Sequence, residues 1–432
     1  MIISIIIPTR ERVDCLKESI QTVLQIPDRN IEILISDNAS TDGTGQVISE
    51  ISDPRIKYVN TGKYVSQRES FEFALHNSSG DYVTFLGDDD GILPRQFKLL
   101  RHTLEKERPD ALSWTIPVFI WPVEGRKEKK KTGNVRFDRN KLFGGTHWID
   151  TKAYKRHLLA CRLEKITHLP TMYHGCVSRD YFNKIATPDG TYFNSTAVDA
   201  YFGYRSLLEG GKFLHVDHAL SMRGDGPSGG MRLCYTLPNP DDPQAKLYYE
   251  RATELKLDRI TDVIETTLSA PLLLFSTLET IRTRFPKEDQ LPDYLAWYNH
   301  TLSENSPWND TVREILRNYA IKSDTFSEFK EAAFRQADNN VSRVNRKISS
   351  HLGGIFSETK GMLRNYATRS PIFLKPKRFH LSCEVNQKNT ILTAVNIYDS
   401  VLSDDYECVP DKTLSQENAW KRVLKRSRAY SI

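Results

Sequence analysis

Cysteine is scarce and scattered. The six residues, at positions 15, 161, 176, 234, 383 and 408, form no Cys-x-x-Cys pair and no zinc-like spacing. That excludes a disulfide-stapled scaffold and fits a reducing compartment. Long apolar runs are missing too. APLLLF at 270–275 is far too short to cross a bilayer, and MIISIIIPTR at the start lacks the basic flank and apolar length of a signal peptide. The expected location is therefore cytoplasmic, with at most a peripheral touch on the inner face of a membrane. Nor is there an excess of one charge. Sixty Lys and Arg against 55 Asp and Glu leave +5, enough to suit an anionic ligand or membrane surface and too little to argue for nucleic acid. No internal repeat and no long low-complexity tract occurs.

What remains is a chain able to build a large core. Hydrophobic residues make up 39% of 432 positions and charged residues 27%, a composition that folds, at a length natural for two domains. The first hundred residues alternate in type. IISIII (2–7), IEILIS (31–36), RIKYV (55–59) and DYVTFL (81–86) read as strands, the first an unbroken β-branched run of the kind covered on both faces. Between them, residues 12–25, 45–51 and 70–78 carry helical spacing, and Pro94 opens a helix to about Glu107. This rhythm predicts a mostly parallel sheet flanked by helices. One or two strands are expected in 111–123, a charged loop at 125–134, then strand, helix, helix and strands near 171–178, 179–186, 198–209 and 212–222. SMRGDGPSGG (221–230) reads as a mobile glycine-rich loop. Beyond about 240 the periodicity turns helical. The expected division is an α/β domain over 1–238 and a mostly helical domain over 239–432.

The chemistry concentrates in FLGDDDGILP (85–94). Asp88, Asp89 and Asp90 follow a buried strand without interruption. Ionised carboxylates about 5 Å apart repel by roughly 3 kcal/mol at an effective dielectric near 20. One aspartate suffices to favour a helix start; three call for a cation. Open α/β sheets bind ligands past the carboxyl ends of their strands. At that edge the trio shares a crevice with Pro8-Thr9-Arg10-Glu11 and with Asp37. Hard oxygen ligands suit Mg²⁺ or Mn²⁺, which complete their shells with phosphate oxygens.

SIIIPTRERVD, ISDNASTDGT and SSGDYVTFLGDDDGILP, at their observed spacing, resemble the family 2 glycosyltransferases of the GT-A fold. The resemblance is strong over residues 1–110 and weaker to about 230. It implies a nucleotide-sugar donor, UDP- or GDP-linked, a divalent cation, inversion at the anomeric carbon, and a saccharide or lipid-linked acceptor in cell-surface polysaccharide synthesis. Carried over, Pro8, Thr9, Arg10 and Glu11 line the nucleobase and ribose, Asp37 bonds the base, Asp88 lies by the ribose, and Asp89 and Asp90 hold the metal. Arg68 is placed to reach the diphosphate. Gly87 departs from the family, which often has aspartate there. The general base is matched to Asp199, where Val198 replaces the usual preceding glutamate. His174 is expected on the donor phosphate or the acceptor. His215 or His218 is a candidate to complete the metal shell, and Arg223 and Ser228 are candidates for a lid over the diphosphate.

LKPKRFH (374–380) and WKRVLKRSRAY (420–430) are basic. They read either as solvated ends of a helical domain or, with Trp420, as contacts to an anionic membrane. Two other functions stay open: a nucleotide-sugar-binding protein without catalysis, given Gly87 and Val198, and a nucleotidyltransferase. The latter lacks its glycine-rich loop after the first strand.

Overall fold

The computed structural model describes residues 1–122, 132–138, 141–226, 258, 262–265, 267, 269–303, 309–336, 378–383, 388–408 and 413–430. In chain order the strands are β1 (Ile3–Thr9), β2 (Ile31–Asp37), β3 (Ile56–Asn60), β4 (Tyr82–Phe85), β5 (Gly91–Ile92), β6 (Ala111–Thr115), β7 (Val118–Ile120), β8 (Asn134–Asp138), β9 (Thr146–Trp148), β10 (Gly175–Ser178), β11 (Phe213–Ala219), β12 (Ser221–Asp225) and β13 (Arg378–Ser382). Eight of them form the central sheet in the order β3-β2-β1-β4-β10-β6-β11-β9. β1, β2, β3 and β4 run parallel, as do β6 and β11; β10 is antiparallel to both its neighbours and β9 to β11. A second sheet, β13-β8-β7-β12-β5, stands at the carboxyl edge.

The parallel order follows from the apolar runs. Ile3, Ile5 and Ile7 of β1 enter one core and Ile6 the other, because successive side chains of a strand leave on opposite faces. The early helices α1 (Val13–Leu24), α2 (Thr44–Ser49), α3 (Gln67–Asn77) and α4 (Phe97–Glu107) fall where the helical spacing predicts, with α4 beginning three residues after Pro94. α5 (Thr151–Leu159), α6 (Arg179–Ile185) and α7 (Val198–Glu209) follow.

The later chain is mainly helical where it is described, and it joins both cores. Helix Ala270–Arg284 supplies Leu272, Phe275 and Leu278 to the core that holds Ile6, Phe85 and Tyr201 of the first half. Helix Ile391–Leu402 brings Ile391, Val395 and Tyr398 into the core of Ile5, Ile20 and Trp114. β13 pairs antiparallel with β8 over five residues. The expected boundary at 238/239 lies outside the described residues. Trp420 does not reach toward a membrane: it is buried, with its ring stacked on Phe137 at 6.1 Å. Of the basic residues around it, Arg422 and Arg426 both bind Asp405. Lys375 and Lys377 lie outside the described residues. No helix among the described residues is long and apolar enough to cross a membrane.

Candidate active site

The acidic trio stands where β4 leaves the sheet, and its first partner is Arg12, just past β1. One guanidinium nitrogen lies 2.8 Å from Asp88 Oδ1 and another 2.7 Å from Asp89 Oδ2. Thr9 donates its hydroxyl to Asp88 Oδ2 at 2.9 Å. Burial works against the Arg12 charge, and the two carboxylates more than offset it, so its pKa rises further. The carboxylates are left short of balance. Burial pushes Asp88 up to about 7 against the pull of Arg12, and burial with the charge of Asp90 raises Asp89.

Asp90 behaves differently. It turns inward: Oδ1 accepts the Gly224 amide at 2.7 Å, and Oδ2 accepts the Gly87 amide at 3.0 Å and faces His174 Nε2 at 3.2 Å. Burial alone would raise it, but His174 and the two amides hold it below the ordinary carboxylate range. His174 is oriented in turn. Trp114 Nε1, which can only donate, occupies Ser221 Oγ at 2.7 Å, and that hydroxyl faces His174 Nδ1 at 2.8 Å. Ser221 Oγ, which can donate one hydrogen and accept two, thus bridges Trp114 and Nδ1 and fixes the ring with Nε2 toward Asp90. This network explains Gly87. A Cβ there would stand 2.5 Å from Asp90 Oδ2, the oxygen that Gly87 N and His174 Nε2 hold in place. Gly224 has no room either, because a Cβ would strike the carbonyl of Asp89.

The other expected residues divide sharply. Arg10 lies over the Tyr64 ring at 3.6 Å and donates to the Asn38 carbonyl. Pro8, half-buried, pairs in register with Ser36. Glu11 laces two loops: its amide meets Ser40 Oγ and its carboxylate takes the Thr41 amide and hydroxyl. Asp42 caps the starts of α1 and α2 by accepting from the amides of Val13 and Thr44. Asp37 is closed off. It is 1% exposed, and its oxygens accept Ser40 N at 2.9 Å, Tyr58 OH at 2.7 Å and Asn60 Nδ2 at 2.9 Å. The expected base contact is thus replaced by an internal one, since the register sets Asn60 beside Asp37.

Arg68 is also spent internally. It is buried and forms a two-pronged pair with Asp258, 2.8 Å from both Nε and a terminal nitrogen, so it does not present a charge to a diphosphate. Arg223 is exposed on β12, and residues 221–225 form a ladder strand rather than a loop. Ser228 lies outside the described residues. His218 is a core residue, with Phe143 N donating to Nδ1 and Nε2 on Gln96 Oε1. His215 sits against Ser113, His168 and Asp217. The histidine that reaches the acidic trio is His174 instead.

Asp199 stands exposed in the first turn of α7, accepting the Ala200 amide. Tyr173 packs its ring on Phe71 at 5.7 Å and Phe85 at 6.3 Å. Burial first, then the charges of Asp90, Asp88, Asp199 and Asp89, raise its phenol well above the ordinary value. Both Asp199 and the trio are thus within electrostatic reach of one side chain. Arg12 is the residue that sequence reasoning missed, although it stands two positions beyond Arg10 in the quoted motif. Trp114, Ser221 and Gly224 carried no signal, since only the pairing of β12 with β5 and β7 brings them in.

Comparison with known proteins agrees with the motifs. Residues 4–162 match the model of Glycosyl transferase family 2. A Campylobacter jejuni GalNAc(5)-diNAcBac-PP-undecaprenol beta-1,3-glucosyltransferase is 34% identical over 94 residues, 21% of this chain and 30% of its own length. An Escherichia coli UDP-Glc:alpha-D-GlcNAc-diphosphoundecaprenol beta-1,3-glucosyltransferase, WfaP, is 30% identical over 107 residues, 25% of this chain and 43% of its own. The chain thus spans less than half the length of these relatives. Among solved structures, S. aureus TarS 1–349 with UDP-GlcNAc superposes with a TM-score of 0.42 at 15% identity, covering 78% of this chain and 92% of that one. The match to glycosyl transferase family 2 thus spans β1 to β4 and the acidic trio.

Proposed function

We propose that the protein transfers a sugar from a nucleoside-diphosphate donor to a hydroxyl of a saccharide or lipid-linked acceptor, with inversion, in the synthesis of a surface polysaccharide. The observation that carries this reading is the underbalanced pair Asp88–Asp89 at the carboxyl edge of β1 and β4, bridged by Arg12. The acceptor class follows the names of the two undecaprenol-linked relatives.

The residues present fit a hard divalent cation. The trio offers only oxygen, and the single guanidinium of Arg12 is shared by two carboxylates, Asp88 and Asp89, leaving a negative charge that a further cation would match. Asp89, the least enclosed of the three, would hold Mg²⁺ or Mn²⁺ with Asp88 beside it. Asp90 is committed to Gly224, Gly87 and His174 and keeps the turn in shape. When bound, the cation offsets the charge that develops on the departing diphosphate.

The chain's own residues supply the rest. Thr9 and Arg12 hold Asp88 in one orientation, and Arg10 with the Tyr64 ring forms a flat cationic surface beside them. Asp199 takes the proton from the acceptor hydroxyl as that oxygen attacks the anomeric carbon, and the bond to the diphosphate breaks on the opposite side. The intact trio and an exposed carboxylate at the start of α7 favour a catalyst over a silent binding protein.

The test is a calorimetric titration with UDP, GDP, CMP and dTDP, with Mn²⁺ and then EDTA, followed by transfer assays with the matching sugar nucleotide. One nucleotide is expected to bind in a metal-dependent manner. Asp199→Asn is expected to keep that affinity and lower transfer by about 10²- to 10⁴-fold. No binding of any nucleotide by folded protein would sink the reading.

A further inference from the structure

Away from the acidic trio, β11 and its neighbours assemble a second cluster of metal-binding side chains. His215 and Asp217 are two apart on β11 and leave the same face. His147 of β9 lies directly opposite His215 in the antiparallel register. His168, from the segment between α5 and β10, stacks on the His215 ring at 3.8 Å. One ligand atom each from His168, His215 and Asp217 falls within 4.8 Å of the others.

The decisive atom is His215 Nε2. The residue is 4% exposed, and this nitrogen has no hydrogen-bond partner among the described residues. It points at Asp217 Oδ1 from 3.7 Å, too far for a hydrogen bond. On the other side of the ring, Nδ1 meets Ser113 Oγ at 2.8 Å, the kind of contact that orients a metal-binding imidazole. A buried ring nitrogen facing a carboxylate across an unbridged gap is costly unless a cation joins them.

We propose that His168, His215 and Asp217 bind one divalent transition metal of the zinc class, separate from the cation of the nucleotide site, with His147 beside it. Two imidazoles and a carboxylate with a further position open are a standard set for zinc. Ligands around tetrahedral zinc stand roughly 3.4 Å apart given bonds near 2.1 Å, so the side chains close on the ion by small rotations. The bound ion would pin the segment carrying His168 to the sheet edge. Five residues later that segment delivers Tyr173 and His174 to the acidic trio.

The test uses metal-stripped full-length protein titrated by calorimetry with ZnCl₂, and with CoCl₂ followed by visible absorption. MgCl₂ is the control. Wild type and Asp89→Asn are expected to bind one Zn²⁺ and to show the bands of imidazole-bound Co²⁺. His168→Ala and Asp217→Asn are expected to weaken Zn²⁺ binding at least ~10-fold. Circular dichroism checks folding, and half-buried His168 is the substitution least able to disturb it. No stoichiometric Zn²⁺ on folded wild type would overturn the proposal. So would unchanged affinity in folded His168→Ala, or loss of the site in Asp89→Asn alone.

Discussion

Asp37 and Asp88 flank the same strand, β1, one at the end of β2 and one just past β4. Both are almost fully buried, yet their environments are opposite. Asp37 accepts an amide, a phenol and a carboxamide, all neutral and all from its own loop or the next strand. Asp88 is held by a hydroxyl and by a guanidinium it shares with Asp89, and burial still drives it toward the protonated form. A carboxylate that neutral donors satisfy is part of the frame. A carboxylate that even an arginine leaves short of charge is held ready for something else.

Four substitutions bear on that contrast. Arg12→Ala should have the largest effect, because it strands two buried carboxylates. A loss of about 3–5 kcal/mol is expected on denaturant melts, and Asp88→Asn in the same chain should recover part of it. No recovery would mean that Arg12 serves packing rather than charge. Asp89→Asn should leave the melting temperature at or above wild type while lowering transfer about 100-fold, near 2.7 kcal/mol in barrier. A stability loss would erase the distinction between frame and site. Asp37→Asn should do the reverse. It sets an amide against Tyr58 and Asn60, costs about 2 kcal/mol in stability, and leaves nucleotide affinity unchanged by calorimetry. Loss of affinity in a folded variant would return Asp37 to the base.

The smallest effect concerns a third carboxylate. Asp399 accepts Arg95 N and Gln96 Nε2, and burial raises it from 3.8 to about 6. Between those values the folded chain keeps a proton that the unfolded chain has released, so this group's contribution to stability falls as pH rises from about 4 to about 6. Melting temperature against pH should therefore flatten in Asp399→Asn. An unchanged slope would show that the helix Ile391–Leu402 is docked by its apolar face alone.

Much of this arrangement was legible in advance. Parallel strands covered on both faces read as unbroken apolar runs, so β1 to β4 could be placed from IISIII, IEILIS, RIKYV and DYVTFL. The acidic trio stood out because three adjacent carboxylates have no cheap structural reason to exist. What was hidden depended on pairing between distant residues. Asp37 looked available because its Asn60 partner is visible only once β2 and β3 are in register. Arg68 looked free to reach a diphosphate because Asp258 is 190 positions away. His174 looked free to meet the donor phosphate or the acceptor because nothing in Tyr-His-Gly announces that β10 runs antiparallel to β4 and sets that ring on Asp90. A membrane contact for Trp420 stayed open because its partner, Phe137, lies in a strand with no strong sequence mark.

The docking of helix Ile391–Leu402 also has a bearing on synthesis. Gly91 has no side chain, and that gap is where Val395 and Ile391 rest. The ribosome releases the two halves of this contact about 300 residues apart, some 15 to 60 s at ordinary elongation rates. For that interval the apolar face around α1 and β5 has no cover. That face therefore waits, partly formed, for a helix made long after it, and a chain cut short before residue 391 is expected to expose it and aggregate.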